Sequence, residues 1–208
     1  RPQPGLVSIA GGKYTTYRVM AQDAVDVARE DIGGEVSDSV TEFIPLSGAE
    51  GYVALVNQVD RLARKQDLPV WRIRHLLERY GSLVHELFAL AEQDRTLYEP
   101  LPGAEEYLKV EILYAATHEA ALHLDDLLTR RTRVSIETPH RGAESARAVA
   151  DLVAPVLGWD AARADAEVAA YVARADAERE SQREVVDSEA NAERLSAPDP
   201  RRIPVSRD

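Results

Sequence analysis

Residues 11–18 read Gly-Gly-Lys-Tyr-Thr-Thr-Tyr-Arg, and their types and spacing are the best suited to chemistry in this chain. Two adjacent glycines let the backbone turn sharply and approach a ligand with no side chain in the way. A helix starting after them presents unpaired N–H groups and the positive end of its dipole, and Lys13 adds a full positive charge. This combination suits a group that is anionic or becomes anionic during a reaction. A plain strand-to-helix turn without a ligand remains an equally open interpretation of the residues alone.

A short strand and a helix are the elements that must position this turn. Residues 6–9, Leu-Val-Ser-Ile, form an apolar run that predicts a strand. From Lys13 the apolar residues follow a helical period, which Gly33 and Gly34 would end. One strand is not stable alone, because its backbone groups and both its faces need partners. We therefore expect its sheet to lie in a preceding region, and the N-terminus to be a cut inside a longer protein.

Helical patterns dominate the rest of the sequence. Pro69 suits a helix start, Gly158 a helix end, and Asp160 a helix N-cap. Pro100, Pro102 and Gly103 predict a loop. The predicted helices cover residues 52–63, 69–80, 82–90, 108–121, 124–131 and 143–157, followed by one long helix from residue 160 towards residue 195.

Composition limits the classes of function. The 208 residues are 45% hydrophobic, which is enough to bury a core, and the net charge is −11. That charge argues against nucleic-acid binding, which depends on neutralising phosphates with Lys and Arg. The chain has no cysteine, which excludes disulfides, thiolate metal sites and cysteine nucleophiles. No apolar run approaches the roughly 20 residues that span a bilayer.

Histidines and arginines provide two weaker candidate sites. His118 and His123 resemble a zinc-binding helix, but a separation of five residues turns the imidazoles away from each other, so we predict no metal site. Arg130, Arg131 and Arg133 follow a pair of aspartates and could bind phosphate. At this spacing, ion pairs with the aspartates and capping of a helix C-terminus are the favoured interpretation.

Three blocks of sequence, in this order, are similar to the FAD-dependent glycerol-3-phosphate dehydrogenases of the aerobic, respiratory type. They are residues 11–18, residues 110–133 with the Asp-Asp-Leu-Leu and Arg-Arg-Thr-Arg clusters, and residues 157–160, Leu-Gly-Trp-Asp. The resemblance spans roughly residues 6 to 175 and covers the C-terminal portion of such proteins. Each block is weak by itself, whereas three in register are specific.

The resemblance implies a fold class that is mainly α. A multi-helix C-terminal domain is preceded by the terminal strand and helix of an α/β FAD-binding domain. Residues 1–32 are then the strand–turn–helix of the FAD-binding domain, and residues 33–48 are a connector. Residues 49–195 are the helical C-terminal domain, and residues 196–208 are a disordered tail.

The resemblance also implies a reaction, in which sn-glycerol 3-phosphate is oxidised to dihydroxyacetone phosphate by hydride transfer to FAD and electrons pass to a quinone. Gly12, Lys13, Tyr14 and Thr15 would lie against the flavin pyrimidine edge, where their amides and the helix dipole stabilise negative charge. Lys13 would also reach the substrate as a catalytic residue. The sequence contains no Gly-x-Gly-x-x-Gly fingerprint, so we expect this chain alone to bind FAD poorly or not at all and to be inactive.

The implied partners are glycerol 3-phosphate, a quinone and the protein's own N-terminal FAD domain, with a homodimer left open and nucleic acid excluded. The implied location is the cytoplasm, where the intact enzyme could also attach peripherally to the inner face of the cytoplasmic membrane. Two alternatives stay open, namely a glycerol-3-phosphate oxidase that uses oxygen and a non-catalytic helical module for interaction or assembly.

Overall fold

The computed structural model describes residues 3, 5–31 and 35–199, and most of these residues are helical. The prediction of a mainly α chain is confirmed. The chain divides into two compact units, Arg1–Val84 and His85–Asp208. None of the helices within the described ranges combines the length and the apolar character that crossing a membrane requires.

The described residues of the first unit contain four α-helices. A single turn of 3-10 helix, Tyr14–Thr16, leads directly into the first of them. The α-helices are α1 (Tyr17–Arg29), α2 (Tyr52–Val56), α3 (Val59–Gln66) and α4 (Val70–Tyr80).

The segment predicted as a strand, residues 6–9, has no strand partner within the described residues. Leu6 forms only an isolated bridge with Gln3, and residues 7–9 belong to no strand. A strand needs a neighbour to pair its N–H and C=O groups, and the described part of the first unit offers no second strand. The apolar composition alone therefore leaves this segment extended but unpaired.

Apolar side chains of α3 and α4 form the core of the first unit. The buried residues are Val59, Leu62, Ala63, Ile73, Leu76, Leu77 and Tyr80. Pro69 precedes α4 as predicted, with an extended backbone that suits a helix start. The predicted single helix over residues 52–63 divides into α2 and α3 instead, because the backbone of Gln58 leaves the helical region between them.

Two glycines join the connector to the end of α4. The N–H of Ser82 donates to the carbonyl oxygen of Gly48 over 2.8 Å. A Cβ added at Gly81 would lie 2.0 Å from that same oxygen, and one added at Gly48 would lie 2.4 Å from the carbonyl oxygen of Tyr80. Only residues without a Cβ allow the two backbones to approach this closely.

The second unit is a helical assembly with one hairpin. Its α-helices are α5 (Val84–Gln93, which begins at the boundary), α6 (Lys109–His118), α7 (Val134–Glu137), α8 (Ala146–Leu157), α9 (Ala161–Ser181) and α10 (Asp187–Ser196). The antiparallel strands β1 (Pro100–Leu101) and β2 (Ala104–Leu108) occupy the segment where we predicted a loop and a helix start. Pro102 and Gly103 form the turn between them, with Gly103 at φ 79°.

One apolar cluster holds the second unit together. It combines residues of the hairpin, of α6, of α8 and of α9 with the leucines that follow α6. Its fully buried members include Leu101, Tyr107, Ile112, Leu124, Leu127, Leu128, Val149 and Val153. Burying each such side chain stabilises the folded state by about 1.5–3 kcal/mol. The hairpin strands therefore form because Leu101 and Tyr107 are part of this core.

The single long helix predicted from residue 160 to residue 195 is wrong. The chain breaks after α9, and α10 folds back to pack against it. This return buries Ala190 together with Ala177 and Ser181, and the Nε of Arg194 donates to Ser181 Oγ over 3.1 Å. Burial of these small side chains favours the two-helix arrangement over one solvated helix.

Several predicted features fall on residues that the structure does not describe. Gly33 and Gly34, which we predicted to end the first helix, lie outside the described residues. Of the predicted disordered tail at 196–208, residues 200–208 lie outside them as well.

Helix α9 starts at the predicted cap. The Asp160 Oδ1 accepts a hydrogen bond from the backbone N–H of Arg163 over 2.7 Å, and Gly158 ends α8 with a left-handed backbone at φ 66°. The cap satisfies one of the N–H groups that a helix start leaves unpaired.

We predict that Asp160→Ala lowers the free energy of unfolding by about 1 kcal/mol, since it leaves the Arg163 N–H without its acceptor. Urea denaturation of the 208-residue chain measures this value. Asp160→Asn keeps a capping oxygen and serves as the matched control. An equal loss in both variants would contradict the capping role.

Candidate functional site

The turn before α1 has the backbone that its two glycines predict. Gly11 and Gly12 have φ angles of 81° and 103°, which residues with a Cβ rarely adopt. Lys13 then returns to an extended conformation, and the 3-10 helix begins at Tyr14. The sequence therefore folds here as a sharp turn that leads straight into a helix start.

A side chain from α1 lies directly against Gly12. A Cβ built on Gly12 would lie 2.0 Å from Met20 Sδ, far inside van der Waals contact. By contrast, a Cβ on Gly11 would meet nothing within 4 Å. Gly12 is thus required for its φ angle, and the flexible thioether of Met20 fills the space beside it.

The turn is closed by one hydroxyl group. The backbone N–H of Lys13 donates to Thr16 Oγ1 over 3.2 Å, and Thr16 Oγ1 lies 2.9 Å from the Lys13 carbonyl oxygen, to which it donates. The backbone N–H of Thr16 donates to that oxygen too, over 3.0 Å. Both peptide groups of Lys13 are therefore occupied within the turn.

All four predicted site residues are exposed to solvent. Gly12, Lys13, Tyr14 and Thr15 are all exposed, and the Tyr14 side chain is 89% accessible. Within the described part of the chain, the N–H groups of Tyr14 and Thr15 meet no acceptor, and the Lys13 ammonium meets no carboxylate. The structure thus brings all four residues to one exposed helix start carrying free donors and one positive charge.

A groove of about 550 Å³ lies beside the turn. Its lining combines the extended segment with one side of α1, namely Val7, Ser8, Ile9, Ala10, Gly12, Thr16, Met20, Asp23, Ala24 and Val27. Helix α1 contains no buried residue, although its sequence is amphipathic. The described residues therefore leave the apolar side of α1 without burial.

The two histidines of the weaker candidate site lie in different environments. The His118 ring stacks on Tyr114 with 4.5 Å between the centroids, whereas His123 is buried and its Nδ1 lies 2.8 Å from Glu167 Oε1. Among the described residues, no group of three His, Asp or Glu side chains is arranged to hold a metal ion.

Glu167 organises the surroundings of His123. Its side chain is 1% exposed, and its Oε2 accepts from the backbone N–H of Leu124 over 3.1 Å. Arg163 NH2 donates to Glu167 Oε1 over 2.6 Å. A buried carboxylate with these three partners ties α9 to the segment that follows α6, which is a structural role.

Of the three arginines in the cluster, Arg130 forms the expected ion pairs with the aspartates. Arg130 binds Asp125 and also lies 3.1 Å from Asp126 Oδ1. Arg131 Nε donates to the carbonyl oxygen of Glu119 over 2.6 Å, and Arg133 pairs with a glutamate one turn later. The residues from Asp126 to Arg131 form a π-helix rather than the predicted α-helix. These contacts within the second unit support a structural role for the arginines.

Sequence reasoning did not find the network around Asp125. This buried carboxylate also pairs with Arg174 over 2.6 Å, and Arg174 lies 3.3 Å from Glu178. Glu178 pairs in turn with Arg141. The partners lie on α9 and on the turn before α8, tens of residues from Asp125 in sequence, so no local pattern indicated them.

Tyr171 completes this network. Its hydroxyl donates to the carbonyl oxygen of Arg141 over 2.5 Å, and burial raises the pKa of the phenol to about 12. Arg141 has a left-handed backbone with φ 56°, so this hydrogen bond holds a strained turn.

The family profile described as the C-terminal domain of alpha-glycerophosphate oxidase matches residues 39–164, which is more than half of the chain. The chain therefore belongs to this family of glycerol-3-phosphate oxidases and dehydrogenases. The turn at residues 11–18 lies before the matched range.

Individual relatives agree with this assignment. The chain is 55% identical over 200 residues to glycerol-3-phosphate dehydrogenase 2 of Mycobacterium tuberculosis and to glycerol-3-phosphate dehydrogenase of Mycobacterium leprae, and each match covers 96% of this chain and 34% of the relative. It is 27% identical to the mitochondrial glycerol-3-phosphate dehydrogenase of Schizosaccharomyces pombe, covering 77% of this chain and 28% of the relative. The chain thus spans about a third of the length of these curated relatives. No solved structure matches it significantly.

We predict that Tyr171→Phe reduces the loss in the free energy of unfolding that occurs as the pH rises into the alkaline range. A folded-state pKa near 12 against 10.0 for a free phenol means that the hydroxyl contributes stability below pH 10.0, which is lost as the pH rises towards 12. Urea denaturation of the chain at pH values below 10.0 and near 12 measures the difference. Tyr98 and Tyr114 also have raised pKa values, so the slope should shrink without vanishing.

The matched control is Tyr14→Phe, since the Tyr14 side chain is exposed. If this variant flattened the alkaline slope as much as Tyr171→Phe does, or if Tyr171→Phe left the slope unchanged, the buried hydroxyl would not be its source.

Proposed function

We propose that the intact protein is an FAD-dependent glycerol-3-phosphate dehydrogenase that oxidises sn-glycerol 3-phosphate to dihydroxyacetone phosphate and delivers electrons to a quinone. The observation that carries the proposal is the 55% identity to mycobacterial glycerol-3-phosphate dehydrogenases over 96% of this chain. Family membership supports the same substrate class.

The turn at Gly12 fits one edge of a flavin. Its exposed backbone, the free N–H groups of Tyr14 and Thr15, and the start of α1 favour a partner that accepts hydrogen bonds and gains negative charge. FAD, when bound, supplies the acceptor for the hydride. We assign Gly12, Lys13, Tyr14 and Thr15 to contact with the flavin pyrimidine edge.

In this assignment Lys13 has two tasks. Its ammonium adds a full charge beside the helix start, which stabilises negative charge at the flavin edge more than the dipole alone does. The same ammonium is exposed and has no carboxylate partner among the described residues, so it is available to touch the anionic substrate. Lys13 is therefore the proposed catalytic residue of this chain.

The protein's own N-terminal FAD domain is the proposed partner of the first unit. The extended segment and α1 expose Leu6, Ile9, Val19 and Val25 to solvent. Apolar side chains that follow strand and helix patterns are normally buried, and the relatives contain twice as much further sequence that could cover them. We expect the 208-residue chain by itself to bind FAD poorly and to lack activity.

The second unit has a supporting role in this proposal. Its buried carboxylates Glu167 and Asp125 are occupied by structural pairs with His123, Arg163 and Arg174. We propose that the enzyme is cytoplasmic, with peripheral attachment at the inner face of the membrane where a quinone is the acceptor. The proposal leaves open whether the enzyme forms a homodimer.

The proposal is tested by purifying the full-length protein and adding sn-glycerol 3-phosphate without oxygen. The flavin absorbance should disappear at one substrate per flavin and return when a quinone analogue is added. Return with oxygen but not with the quinone would make the protein an oxidase instead. A full-length protein without flavin would favour the alternative of a non-catalytic helical module.

We predict that Lys13→Ala in the full-length protein slows flavin reduction by substrate by about 10²-fold, as expected when one charged group that stabilises a transition state is removed. Stopped-flow absorbance measures the rate. Lys65→Ala, which removes an exposed lysine of α3, is the matched control. An unchanged reduction rate and substrate affinity in Lys13→Ala would exclude the catalytic role.

A further inference from the structure

We propose that Thr16 is a positioning residue that sets the hydrogen-bonding direction of the turn towards the flavin. This inference rests on the proposed function. Thr16 itself need not touch the cofactor, because it acts through the backbone of Lys13 and leaves the neighbouring N–H groups as the free donors.

The hydroxyl of Thr16 hydrogen-bonds to both backbone polar groups of Lys13. It accepts the Lys13 N–H over 3.2 Å and donates to the Lys13 carbonyl oxygen over 2.9 Å. A hydroxyl has one proton to donate and lone pairs to accept, so a single oxygen can satisfy both groups. The Lys13 amide is thereby withdrawn from any ligand, and its orientation is fixed.

These two hydrogen bonds determine which groups of the site residues remain available to a ligand. Because the Lys13 N–H is occupied, Lys13 contributes through its ammonium. The donors left at the helix start are the N–H groups of Tyr14 and Thr15, which meet no acceptor within the described residues. The N–H of Tyr14 belongs to the same peptide group as the Lys13 carbonyl, so Thr16 fixes its direction by holding that carbonyl. The N–H of Thr15 belongs to the next peptide group, within the same 3-10 turn.

Thr16 also supports the glycine turn through Met20. Its Oγ1 lies 3.5 Å from Met20 Sδ, and the same sulfur occupies the place where a Cβ of Gly12 would lie. The branched Cβ of threonine limits its χ1 rotamers, which helps to hold the hydroxyl at Lys13. The glycine turn is thus supported by one contiguous group of residues, namely Gly12, Lys13, Thr16 and Met20.

The test compares Thr16→Val with Thr16→Ser in the FAD-loaded full-length protein. Valine keeps the shape and removes the hydroxyl, whereas serine keeps the hydroxyl. The midpoint potential of the bound flavin is the primary measurement, with FAD content and the thermal midpoint as checks on folding. Thr41→Val, which removes an exposed hydroxyl of the connector that bonds to Arg18, is the matched control.

We expect Thr16→Val to make the potential more negative by about 30 mV, which corresponds to a tenfold loss of preference for reduced flavin in a two-electron couple. Thr16→Ser and Thr41→Val should keep the wild-type potential. A purely structural role would lower FAD content without moving the potential of the flavin that stays bound.

Two outcomes separate this inference from the proposed function. A wild-type protein that binds no flavin would overturn the proposed function together with this role. A flavin-loaded wild-type protein whose potential is unchanged by Thr16→Val would overturn the role of Thr16 alone.

Discussion

Burial of apolar side chains is the constraint on which the rest of this structure depends, and the two units satisfy it to different degrees. In the second unit, residues such as Leu101, Tyr107 and Ile112 are completely buried, and the hairpin and helices arrange themselves around them. Helix α1 of the first unit buries none of its residues. Since exposed apolar surface is costly to leave in water, we propose that α1 and the segment before it pack against a further surface.

Buried carboxylates provide the specific contacts that apolar packing cannot. Glu167 joins α9 to the segment around His123, and Asp125 joins the π-helix to Arg174. Each carboxylate is almost fully buried and has cationic partners, as required for an ionised group away from water. These pairs account for the charged residues around His123 and Asp125 in the second unit, and we propose that the chemistry of the chain lies in the turn at Gly12.

Local signals in the sequence predicted local features well. The glycine turn, the start of α4 at Pro69 and the cap at Asp160 all follow from backbone preferences of a few residues, and all are present. Features set by distant contacts were not predictable. The hairpin depends on burial of Leu101 and Tyr107, and the break after α9 depends on Ala190 packing back. The hydrogen bonds between Lys13 and Thr16 were predictable in principle, because a threonine hydroxyl can bond to backbone groups three residues before it.

We propose that this chain supplies one edge of a flavin site whose other walls belong to the rest of the protein. Calorimetric titration of FAD into the 208-residue chain and into the full-length apoprotein tests it most directly. We predict one tightly bound FAD per full-length protein and no measurable binding to the chain alone. Stoichiometric FAD binding by the chain alone, or none by the full-length protein, would contradict the account.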